Sequence, residues 1–270
     1  MTELHWWLSV FTMNFRRVFA YRADFWINFF FSIFGQIGVA YFVWRAVYAA
    51  KGNVTLGGYA FDAMMFYYIL TVLIIKVVKS SEWNLVALEI YDGSLSRYLV
   101  YPVSFLSYKF AAFLADALMA MMQFALTLLV FTITIGVPKE VSISATSAFC
   151  GFALMTVSML FYFVMVSTLE MMAFWFDNVW NVVIMLGMAM IFFGGGLVPL
   201  SLFPPALREV AMLLPFFHMI AVPARLFMGT AGLPDFGYAV LVLTSWSVPA
   251  VLLLNFLWRR GLKQYTGVGM

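Results

Sequence analysis

Asp116 lies seven residues after Lys109 and seven before Gln123, a spacing that puts all three on one face of a helix. An acid, a base and an amide along an apolar helix could line a cavity, or Asp116 could pair with Lys76 or Lys79 of an earlier apolar run. Glu170 and Asp177 bracket a short turn, open to water or to a basic side chain of another protein. Little other reactive chemistry is on offer. No Gly-x-x-x-x-Gly-Lys-Ser/Thr loop is present, and Gly194, Gly195 and Gly196 lack both the lysine and the preceding strand that a phosphate cradle needs. His5 and His218 are too far apart in the chain to predict a metal centre or histidine catalysis, and no Gly-x-Ser-x-Gly elbow occurs. Cys150, the single cysteine, lies inside an apolar run and excludes an intrachain disulfide. The residues predict no catalytic group and no metal in this chain.

The elements that must position these side chains follow from composition. The 270 residues are 65% hydrophobic and 10% charged, with a mean hydropathy of +0.98. Soluble domains of this size are only about half apolar and leave much of their surface in water. A bilayer removes that conflict, and in lipid only helices or a closed barrel satisfy the backbone. The apolar runs reach about twenty residues, twice the length of a barrel strand. The expected class is all-α, a polytopic membrane protein. The net charge of +3 is not gathered into a basic, polar stretch, which argues against a nucleic-acid surface.

Spans are expected at 25–44, 61–78, 108–135, 145–169, 179–197 and 236–258, six in all. Residues 1–22 lack the pattern of a secretory signal. They carry one apolar stripe (Leu4, Leu8, Phe11, Phe15, Val18) and arginines at 16, 17 and 22, the pattern of an interfacial helix lying ahead of the first span. With six spans, ten cationic residues collect on one side and five on the other, so both termini are expected to be cytoplasmic. No linker divides 1–270, which reads as one domain without an internal repeat.

Two connections are more than loops. Segment 82–104 has Leu85, Leu88, Leu95 and Leu99 roughly on one side and Glu89, Asp92 and Arg97 available to water. Asp92-Gly93 should break it into two short helices, and Pro102 should end the second. Segment 194–232 holds Gly195 and Gly196, Pro199, Pro204, Pro205, Pro215 and Pro223, and two apolar stretches, 206–214 and 216–228. Each stretch is too short to span, so re-entrant half-helices dipping in from the outer face are expected.

This layout resembles the membrane subunits of ABC-2-type exporters over the whole chain. The resemblance rests on the amphipathic start, the six spans, residues 90–102 followed by Val103 and Ser104, the run 196–205 (GLVPLSLFPP), and Leu214-Pro215-Phe216. The ending 261–269 (GLKQYTGVG) looks like a bacterial branch whose members often occur as paired permeases with a separate ATPase. The resemblance implies that Glu89, Asp92, Gly93, Leu95, Arg97 and Leu99 couple the chain to an ABC ATPase subunit, with Leu95 and Leu99 anchored inward and the charges facing the partner. ATP and magnesium would be bound by that partner, present in two copies. The chain would dimerise with itself or with a similar permease in a bacterial inner (cytoplasmic) membrane. Gly195, Gly196, Pro199, Pro204, Pro205 and Pro215 would shape an outer gate. Cargo would pass between two permeases along spans one, two and five, and aromatics such as Phe29, Phe30, Phe31, Phe66, Tyr67 and Tyr68, with Met185, suit an amphiphilic or lipid-like cargo. Other readings are a self-contained channel or secondary carrier, which the lack of an intramembrane row of acids disfavours, and a scaffold subunit that moves nothing.

Overall fold

The computed structural model describes residues 3–20, 22–52, 54–80 and 86–267. The described residues form eleven helices and no strand. In chain order these are α1 (Glu3–Ala20), α2 (Arg22–Ala50), α3 (Phe61–Val78), α4 (Ala87–Tyr91), α5 (Leu95–Leu99), α6 (Phe105–Thr134), α7 (Ala145–Glu170), α8 (Trp180–Phe193), α9 (Pro205–Leu213), α10 (Pro215–Met228) and α11 (Leu233–Gly261). Five of them, α2, α3, α6, α7 and α11, are long and apolar enough to cross a membrane, and the chain is an all-α polytopic membrane protein.

The expected fifth span is shorter than its apolar run. α8 has 14 residues, about 21 Å of helix at 1.5 Å per residue, against about 30 Å of hydrocarbon. It stops at Phe193 because Gly194 is followed by Gly195 in the left-handed region, φ 78°, and the chain continues as an irregular strip along α3. There the Tyr67 hydroxyl donates to the Gly195 carbonyl at 2.9 Å, which satisfies a backbone group the helix no longer serves.

Capping fixes other boundaries. The Ser104 hydroxyl accepts from the Ser107 N–H and opens α6 just after Pro102. Ser144 and Ser147 cap α7 reciprocally. α9 and α10 each begin on a proline, where the missing N–H costs nothing, and they meet at 97°.

The apolar stretch 216–228, expected as a half-helix dipping in from one face, forms α10, which is surrounded by α3, α7, α8 and α11, and all its residues but Arg225 are buried. Its Phe227 packs on Phe124 and Phe152 at centroid distances of 4.9 and 5.2 Å. A Cβ added at Gly151 of α7 would approach the Phe227 ring to 2.7 Å, so that position admits no larger side chain without displacing the ring.

α1 lies along α6. Among its described side chains Val10 and Asn14 are buried, while Leu8 of the expected stripe is 46% exposed. The inward face is set by Trp7, Phe11 and Phe15, stacked at 5.8 and 5.9 Å. The side chains of Leu4, Val18 and Arg22, and all of Glu82 and Leu85, lie outside the described residues.

Candidate functional site

At one end of the bundle the polar segment after α3 forms an elbow, α4 and α5 joined through Asp92, Gly93 and Ser94. Gly93 adopts φ 74°, a left-handed conformation that turns the chain without a Cβ penalty. The Asp92 carboxylate accepts from the Ser94 N–H at 2.9 Å. Its bonds to the hydroxyl and N–H of Ser94 hold its pKa below the usual carboxylate range. It therefore stays ionised at neutral pH. Arg97, fully exposed, is pushed further above its already high value, first by its bond to the Tyr98 hydroxyl. The elbow shows one fixed anion and one fixed cation to water.

Five connections fasten this elbow to the helices behind it. Buried Glu170, at the end of α7, accepts from the Val86 N–H at 2.5 Å and the Ala87 N–H at 3.4 Å, satisfying the first free donors of α4. The Tyr91 hydroxyl donates to the Phe176 carbonyl at 3.0 Å and accepts from the Val179 N–H at 3.0 Å, tying α4 to the start of α8. Burial pushes that phenol up, so it remains a donor. Glu89 forms an ion pair with Lys109 of α6, and the Lys109 ammonium also faces the Tyr98 and Phe105 rings at 5.5 Å. The Tyr265 hydroxyl, just past α11, donates to the Gly93 carbonyl at 2.6 Å and accepts from the Ser96 N–H at 3.2 Å. Finally Leu95 and Ile90 are buried in the main core.

The placement differs from expectation at four residues. Leu95 points inward, but Leu99 and Leu88 are exposed, at 47% and 51%, because each helix is five residues long and presents barely one turn to the core. Glu89 faces inward to Lys109, where a partner-facing charge was expected; only Asp92 and Arg97 face out. Glu170, expected in a solvated turn, is 1% exposed. Sequence reasoning missed Tyr91, Tyr265 and the anchoring role of Glu170. Their bonds run to backbone groups, which leave no residue pattern; the one available signal was a lone acid at the end of a long apolar helix.

The three polar residues of α6 do not form one path. Lys109 serves Glu89. Asp116 takes its cation from Arg17 of α1 at 3.4 Å, where the sequence pointed to Lys76 or Lys79. Gln123 is buried, and neither end of its amide bonds within the described residues. Lys76 lies over the Phe29 ring at 5.2 Å, and Lys79 lies beside Gly187 of α8. Of the side chains assigned to cargo, Phe29, Phe66 and Tyr67 are core, whereas Phe30, Phe31 and Met185 are exposed.

A groove of about 590 Å³ runs between α2, α3 and the strip after α8, lined by Gly35, Gln36, Trp44, Tyr68, Ile75 and Gly196 among others. The residues assigned to an outer gate lie at the end opposite the elbow. Pro199 lines a second cavity with the α2–α3 connection, Pro204 and Pro205 open α9, and Pro215 opens α10 beside Gly194.

A family model described as "ABC-2 family transporter protein" matches residues 34–269. The match runs from within α2 to the C-terminal tail and so includes the elbow, its anchors and both cavities; α1 lies outside it. No curated protein matches the chain.

Proposed function

The chain belongs to the ABC-2 family of transporter proteins, and from that premise we propose that it is the permease half of an ATP-driven exporter whose ATPase is a separate subunit. The elbow is its coupling element. The observation that carries this reading is the two-sided character of α4–α5: two permanent charges outside, and bonds to α6, α7, α8 and the C-terminal tail inside. A push on such an element is delivered to several spans at once, which suits rigid-body tilting of packed helices. The C-terminal tail shares this end of the bundle through Tyr265. The cationic majority counted at this end supports a cytoplasmic elbow and cytoplasmic termini in a bacterial inner membrane.

The cargo path is the groove between α2, α3 and the strip after α8, closed by a second permease, identical or similar, against the exposed face of α2 with Phe31, Phe34 and Phe42. Its largely apolar lining and single amide, Gln36, favour an amphiphilic cargo. ATP and magnesium belong to the two ATPase copies. A channel or carrier acting alone would have no use for a rigid charged elbow fastened at several points.

The test is recovery of the ATPase with the tagged permease. Arg97→Glu, at an exposed site, is expected to cut the ATPase recovered by roughly tenfold, the scale of one charge-assisted contact reversed in sign, with insertion unchanged. Full recovery with both Arg97→Glu and Asp92→Lys would remove the elbow from this role.

A further inference from the structure

At the end opposite the elbow, a cavity of about 340 Å³ lies between the α2–α3 connection, the strip after α8, and the α9–α10 pair. That volume is within the range of small-ligand sites. Both Arg208 of α9 and Arg225 of α10 line it. Neither arginine forms an ion pair with a carboxylate among the described residues. Arg225 makes one long bond, to the Thr230 carbonyl at 3.4 Å. No acidic residue is among the described residues that line the cavity, and its other walls include Tyr59, Phe217, Leu200, Met212, Ser201 and Thr230. The Tyr67 hydroxyl is already committed to Gly195.

Two arginines lining one concave, partly apolar space make it a favourable place for an anion. Arginine forks match the paired oxygens of a phosphate or carboxylate, and the aromatic and aliphatic walls suit the carbon chain next to such a head. The walls are also fixed in place. Gly57 has φ 59° and packs against Ser201 and Leu202 with no room for a Cβ, and Leu56 and Tyr59 exchange backbone bonds at 3.0 Å across that turn.

We propose that this cavity is an outer-face binding site for a phosphate-headed amphiphile, with Arg208 and Arg225 as its anion ligands. The site goes beyond the coupling role and is independent of it, because binding is measured without ATPase or ATP; failure here leaves the elbow untouched.

The full chain, purified in an alkyl maltoside, is titrated with a short-chain phosphatidylglycerol, with a diacylglycerol of the same tails, and with inorganic phosphate, followed by calorimetry and by the thermal unfolding midpoint. Phosphatidylglycerol is expected to bind and raise the midpoint, and diacylglycerol to do neither. Arg208→Gln and Arg225→Gln should each weaken binding about tenfold, and together abolish it. Arg208→Lys and Arg225→Lys keep the charge without the fork; they should bind at an intermediate level and show that the site folds. Competition by inorganic phosphate would assign the affinity to the head alone, and its absence would assign part of it to the chain. Equal binding by the diacylglycerol, or wild-type binding by the glutamine pair and by the lysine pair, would overturn the proposal.

Discussion

Replacing Glu170 with alanine is expected to uncouple the permease: transport falls by roughly thirtyfold while hydrolysis by the associated ATPase continues. The Glu170 carboxylate accepts from the first two N–H groups of the coupling element, and it is buried with them. A hydrogen bond to a charged group contributes about 1.5–3 kcal/mol, and a buried donor left without a partner costs a similar amount. A loss of about 2 kcal/mol shifts the balance between attached and detached elbow by roughly thirtyfold. Glu170→Gln keeps an acceptor without the charge and should fall between wild type and alanine. Reconstituted vesicles that report cargo moved per ATP consumed check this, and an unchanged ratio in Glu170→Ala would show that the elbow transmits force by another route.

Glu89→Lys should be more damaging to the protein itself. The two side chains of the Glu89–Lys109 pair are 12% and 13% exposed. Removing one member of a buried pair costs about 3–5 kcal/mol because the other charge is left without compensation. A second ammonium beside Lys109 adds repulsion to that. The expected result is a large loss of folded protein in detergent, in contrast to Arg97→Glu, which sits in water. Exchanging both residues, Glu89→Lys with Lys109→Glu, should recover part of the loss, and the double-mutant cycle measures the pair. Equal yields of Glu89→Lys and wild type would place Glu89 on the partner's side after all. The inward turn of this acid changes what a reversal means. A transport defect in Glu89→Lys reports the fold first, so the partner contact is better probed at Arg97 and Asp92.

These contrasts mark what a linear sequence carries. The long helices were legible because twenty apolar residues in a row have one inexpensive fate in a bilayer, and the break at Asp92-Gly93 was legible because glycine accepts a left-handed φ. α8 was overestimated, since hydropathy does not register that Gly194–Gly196 ends the helix while the apolar run goes on to Leu197. The half-helices of α9 and α10 were legible from their prolines and from stretches too short to span, but the depth of α10 was not, because a helix buried on nearly every face reads the same by composition as a peripheral one. The direction of Glu89 and Leu99 was beyond pattern altogether. A five-residue helix has too few turns for periodicity to choose a face, so tertiary packing decided. Glu170, Tyr91 and Tyr265 act on backbone atoms that every residue shares, and nothing in their surroundings announces the partner. The charge count along the loops, by contrast, needs no such detail.

The orientation and use of the elbow are tested together by labelling Leu99→Cys. Leu99 is exposed, and the one native cysteine, Cys150, is buried in α7, so background is low. A membrane-impermeant maleimide should react with this position in inside-out vesicles and not in intact cells, and added ATPase should protect it. Reaction from the outside of intact cells, or equal reaction with and without saturating ATPase, would contradict a cytoplasmic elbow that receives the ATPase.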